Sequence, residues 1–81
     1  MKKRYESDLL PKQYADARIG LATQLRQARI AKHMTQQAVA ELAGTQRSNI
    51  SRMESGKYNP SLDFMVKVAE AMDLELNIFV N

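Results

Sequence analysis

Between Gln46 and Arg52 the chain reads QRSNISR. Six of these seven side chains can form hydrogen bonds and none is acidic. An Arg guanidinium can donate two parallel hydrogen bonds to guanine O6 and N7. A Gln or Asn amide can pair in the same way with adenine. The chemistry that fits is the reading of base edges in a DNA groove. A solvated face with no partner would more commonly be rich in Glu and Lys. The candidate base-contacting residues are Gln46, Arg47, Ser48, Asn49, Ser51 and Arg52.

Such reading needs the segment to be a helix with its apolar side anchored. Ile50 and Met53 lie three apart and would face inward. Arg47, Ser48, Ser51 and Arg52 then occupy the outer arc, with Gln46 and Asn49 at its margins. This helix, about 46–54, ends at Gly56. It is preceded by another over about 36–43, for which Thr35 can supply the cap through its hydroxyl. Ala38 stands where a capping box would need Glu or Gln, so the box is incomplete. Val39, Leu42 and Ala43 are expected on its inner face. Gly44 ends it by accepting positive φ, and Ala40 and Gly44 are small where the two helices would cross. Two short helices around one turn, the second polar outside, fit a helix-turn-helix.

The flanks are helical for most of their length. Pro11 suits a first helical turn, and 12–33 is rich in Ala, Leu, Gln and Arg, all good helix formers. Leu21, Leu25, Ala28 and Lys32 form one stripe, beside Ala22 and Arg29. Gly20 is a candidate break, separating an N-terminal basic extension (1–20) from a core helix over about 21–33. Ser61 can cap a last helix, about 62–72, with Met65, Val68, Ala69 and Met72 inward. From Leu74 the period changes: Leu74, Leu76, Ile78 and Val80 alternate with other residues. One reading is a strand pairing with its copy across a two-fold axis, since a lone strand is unstable. The other is a last helical turn with an irregular tail.

The totals exclude several classes. The 81 residues suit one domain, 21–73, with 74–81 as strand or tail. The net charge of +3 permits nucleic-acid binding without requiring it. Its distribution is more telling: residues 1–33 carry eight Lys or Arg against three Asp or Glu, and 58–81 carry one against four. With no cysteine there is neither disulfide nor thiolate metal site. No apolar run is long enough to span a membrane, and no apolar signal core follows the basic start, so a cytoplasmic protein is expected. His33 is the sole histidine and Asp63 and Glu70 are ordinary solvated carboxylates. No catalytic residue, metal site or cofactor is expected, and an enzyme is not.

Residues 25–73 resemble the xenobiotic-response-element helix-turn-helix family, which includes the phage Cro and CI repressors. The resemblance rests on Leu25 with Arg29, Thr35-Gln36, Ala40, Gly44, Ile50-Ser51-Arg52, Glu54-Ser55-Gly56, Pro60-Ser61-Leu62 and Ala69-Glu70-Ala71. It implies an all-α, four- to five-helix, lambda-repressor-like DNA-binding domain. It also implies that Gln36 binds a phosphate and braces the recognition helix, and that Arg47 and Ser48 read bases. Ser55, Lys57 and Tyr58 would contact phosphate, and Arg29 and Glu54 would form an internal ion pair. The chain departs from the family at Gln46, where Ser is usual at the helix cap, and at Arg47, where Gln is common. Arg47 moves the expected preference from adenine toward guanine.

The expected function is a sequence-specific transcriptional regulator, a repressor binding a palindromic operator of double-stranded DNA as a homodimer. The basic extension and C-terminal strand are similar to antitoxins of the host-inhibition-of-growth type, which would add a protein toxin as partner. Tyr5, Leu9, Leu10 and Tyr14 could anchor such a partner. Leu74, Leu76, Ile78 and Val80 would carry the dimer. A restriction-modification controller protein is a further alternative.

Overall fold

The computed structural model describes residues 10–56 and 58–80, with the backbone alone for 10–16. Four helices follow in order: α1 (Leu10–Ala31), α2 (Gln36–Ala43), α3 (Arg47–Ser55) and α4 (Leu62–Ala71). The partner anchors expected at Tyr5 and Leu9, and the side chains of Leu10 and Tyr14, lie outside the described residues.

Helix α1 runs through Gly20 without a break, unlike the division expected there. Glycine costs ~1 kcal/mol against alanine in a helix interior. Propagating an existing helix offsets that, because each added residue gains a hydrogen bond without a new nucleus. Tertiary contact also holds both sides: Ala22 and Leu25 are buried, and Ile19 lies over Gly56, where an added Cβ would come within 3.1 Å of Ile19 Cγ1.

The caps follow the side chains expected to make them. Thr35 Oγ1 accepts from the Ala38 N–H at 3.0 Å, and Ser61 Oγ accepts from the Phe64 N–H at 3.0 Å. Gln46 makes no side-chain cap bond. At the other ends, residues in the left-handed region close the helices. Gly44 (φ 71°) does so for α2, where the Thr45 N–H bonds back to Ala40 O at 2.9 Å. A Cβ on Gly44 would meet nothing within 4 Å, so the residue is needed for its backbone conformation and not for close helix approach. His33 (φ 57°) and Asp73 (φ 62°) occupy the same conformation after α1 and α4. There Met34 N–H bonds to Arg29 O, and Leu74 N–H to Ala69 O.

Helix α2 packs against both α3 and α4, and α1 packs on α3. The core gathers Leu25, Val39, Ala40, Ile50, Met53, Met65, Val68, Ala69 and Met72. Leu42 is a correction to the inner face expected for α2, being 65% exposed. In eight residues the buried arc settles on Val39, Ala40 and Ala43, which turns position 42 outward. After α4, residues 74–80 form no strand. Leu76 packs on the core while Ile78, Phe79 and Val80 are exposed.

Candidate nucleic-acid interface

Glu54, in the last turn of α3, is the base of the site, its side chain only 4% exposed. Arg29 on α1 meets it with two hydrogen bonds, Nε to Oε2 at 2.6 Å and Nη2 to Oε1 at 3.0 Å. The third arm of the guanidinium, Nη1, donates to Met34 O at 2.8 Å. One planar side chain thus fastens the turn after α1 to the far end of α3. The planar fork of Arg suits this geometry and Lys could not reproduce it.

From Glu54 the network runs outward. Gln36, the first residue of α2, donates from Nε2 to Glu54 Oε1 at 3.0 Å. Its other end, Oε1, accepts from Arg47 Nη1 at 3.0 Å. Arg29, Glu54, Gln36 and Arg47 therefore form one continuous chain from the half-buried seam of three helices to the exposed start of α3. Arg47 spends one of its five N–H donors on Gln36 and, among the described residues, keeps four, enough for two bonds to a guanine edge.

The remaining expected base contacts divide. Gln46, Ser48 and Arg52 are exposed beside Arg47, and Ser51 is half-buried. Asn49 is tied to the scaffold instead: its Nδ2 donates to Thr45 Oγ1 at 2.9 Å, one turn back. That bond closes the first turn of α3 where Gln46 provides no cap. Among the expected phosphate contacts, Gln36 is half-buried in the network and Tyr58 is exposed. Exposed Ser55 donates from Oγ to Arg52 O at 2.6 Å. Lys57 lies outside the described residues.

Two residues escaped the reading of the sequence. Thr45 is the partner of Asn49, a relation that the i, i+4 spacing could have suggested. Arg26 stands one turn before Arg29 on α1, its Nε 4.0 Å from Glu54 Oε1 and its side chain 56% exposed. It adds positive charge at the rim of the same cluster. The signal was its spacing of three from Arg29.

The expected dimer residues are not brought to this face. Leu74 and Leu76 line a groove of about 170 Å³ with Leu21, Leu25, Ala28 and Ala69. Among the described residues no helix is long and apolar enough to cross a membrane.

Comparison with known proteins agrees with this geometry. A family model described as Helix-turn-helix matches residues 25–79. An uncharacterized HTH-type transcriptional regulator of Archaeoglobus fulgidus is 34% identical over 61 residues, covering 74% of this chain and 86% of its own. Another, y4dL of Sinorhizobium fredii, is 41% identical over 56 residues, which are 69% of this chain but only 29% of that relative. In three dimensions the chain is similar to the restriction-modification controller protein C.AhdI from Aeromonas hydrophila. The TM-score is 0.70, with 39% identity over 76% of this chain and 88% of that one. It is also similar to a toxin-antitoxin module from Streptococcus pneumoniae, with TM-score 0.66 and 27% identity over 95% of this chain and 82% of that one. Matched in sequence over most of its length and in overall fold, the chain belongs to the helix-turn-helix family of DNA-binding transcriptional regulators.

Proposed function

We propose that the chain represses transcription by binding, as a homodimer, a palindromic operator with α3 in the major groove. The observation that carries this is the exposed, acid-free face of α3, with Arg47 held in position by Gln36. Arg47 and Ser48 read base edges, with Arg52 and Gln46 beside them. Gln36, Ser55, Lys57 and Tyr58 contact phosphate. Two copies would set their recognition helices ~34 Å apart, one turn of DNA. The exposed Ile78, Phe79 and Val80 supply apolar surface for the second copy. The reading needs no catalytic group, metal or cofactor, and it places the protein in the cytoplasm.

Selection of DNA from a random pool tests it. The expected product is a two-fold-related pair of half-sites containing guanine. Arg47→Ala should weaken binding by ~1–3 kcal/mol and relax one base pair in each half-site. An unchanged preference would refute the role given to Arg47. Deleting 74–81 should give monomers by light scattering, and an unchanged dimer would refute the role given to the tail.

A second reading has its own support. The likeness to a toxin-antitoxin module extends over 95% of the chain, beyond the part matched by the family model. In that reading the protein is an antitoxin that also represses its own operon, and α1 carries the toxin-binding surface. Truncating residues 1–14 should then leave DNA binding intact and abolish neutralisation of a small toxin encoded beside it.

A further inference from the structure

We infer that Glu54 sets the direction of the Gln36 amide and thereby decides which side chains at position 47 can be braced for base reading. This rests on the reading of Arg47 as a base-contacting residue. An ionised carboxylate accepts hydrogen bonds and cannot donate. Both oxygens of Glu54 are already engaged by Arg29, and Oε1 also meets Gln36 at 3.0 Å. Only the Nε2 end of the Gln36 amide can face it. The Oε1 end must then point the other way, at the start of α3, where Arg47 Nη1 meets it at 3.0 Å.

Position 47 is therefore offered an acceptor and nothing else. A donor there is held, and an acceptor such as Glu or Asp would be left facing a carbonyl oxygen. Glu54 does not reach the DNA face itself. It is a positioning residue, acting through Gln36, and it links a structural ion pair to base preference. Among the described residues, the charged groups joined to Gln36 directly or through Glu54 are Arg26 and Arg29 from α1 and Arg47 and Glu54 from α3. Arg26 and Arg29 lie on the carboxylate side, so neither competes for the Gln36 carbonyl.

The test is Gln36→Glu, read as the ratio of affinities for guanine and non-guanine sites at the base pair assigned to Arg47. At neutral pH the introduced carboxylate faces the Glu54 carboxylate and grips Arg47 by charge, so the ratio should fall about tenfold, within the ~1–3 kcal/mol that one bidentate contact supplies. A carboxylate beside another is harder to ionise. On acidification the introduced group becomes an acid whose O–H donates to Glu54 and whose C=O faces Arg47, the arrangement of the amide it replaced. The ratio should return, while wild-type protein measured over the same pH range keeps its preference. A merely structural role would lower affinity for all sites alike and leave the ratio flat with pH, and that result would overturn the inference.

A measurement without DNA separates this inference from the reading it rests on. In the free wild-type protein, a through-hydrogen-bond NMR coupling should join the Gln36 side-chain nitrogen to the Glu54 carboxyl carbon. Its absence overturns the amide direction whatever DNA is bound. Its presence together with no guanine preference in wild-type protein would leave the direction standing and refute the base-reading role of Arg47.

Discussion

Replacing Glu54 by alanine removes one carboxylate and strands three N–H donors on two side chains. Arg29 loses both carboxylate bonds and keeps only Met34 O. Gln36 Nε2 loses its acceptor. The Arg29 side chain is 13% exposed, so water restores little of what is lost. Breaking a buried pair by removing one partner costs ~3–5 kcal/mol, because the other charge stays buried. Arg29 keeps its carbonyl bond and sits near the rim, which puts Glu54→Ala near the lower end, about 3 kcal/mol. Domains hold ~0.05–0.15 kcal/mol per residue, so this is a large share of the total for a chain of 81 residues. Arg29→Ala should cost at least as much. It strands Glu54 at 4% exposure and also orphans Met34 O. Arg26, 4.0 Å away, can answer part of that charge.

The assay is urea unfolding followed by circular dichroism. Each single variant should lower the midpoint with little change in slope. By the size scaling of small domains, 3 kcal/mol corresponds to a fall in Tm of roughly 12–24 °C. The double variant Arg29→Ala/Glu54→Ala should be more stable than the sum of the two losses predicts, since no charge is left unpaired. Losses below ~1 kcal/mol in the single variants, the scale of a surface pair, would refute the reasoning. So would strict additivity in the double.

The other expectations concern packing, backbone and charge. Ile50→Ala should cost ~2–5 kcal/mol in unfolding free energy by opening a cavity in the core. Leu42→Ala, at an exposed position of α2, should stay within ~0.5 kcal/mol. Comparable losses at both would contradict the outward placement of Leu42. Gly44→Ala puts a Cβ at φ 71° and should cost ~1–2 kcal/mol by calorimetry although nothing crowds the site; a neutral result would remove the conformational argument. Lys57→Ala should weaken binding to all DNA sequences alike and reduce the slope of log K against log salt by ~0.9. A change confined to one operator would count against a phosphate contact.

The candidate site was partly visible in the residues. The apolar spacing of Ile50 and Met53 oriented α3, and its polar arc followed from that. The resemblance supplied the pairing of Arg29 with Glu54 and the bracing role of Gln36, which no local spacing contains. Residues 25 apart meet only because α1 and α3 pack together. Asn49 shows the opposite limit. Its type suits adenine, yet Thr45 one turn away takes its amide, and residue type alone does not say which partner wins.

The sequence by itself determined the inner stripes of α3 and α4 and the caps at Thr35 and Ser61, because these follow from period and from neighbours within one turn. It also determined the donor-rich, acid-free face of α3. Tertiary structure alone decided that α1 passes through Gly20, that Leu42 turns to solvent, and that the Gln36 amide carries its oxygen to Arg47. Each depends on a free-energy difference of a few kcal/mol or less between local alternatives. Contacts distant in the chain tip that balance: Ile19 over Gly56, the core arc of Val39, Ala40 and Ala43, and the Glu54 carboxylate beneath Gln36.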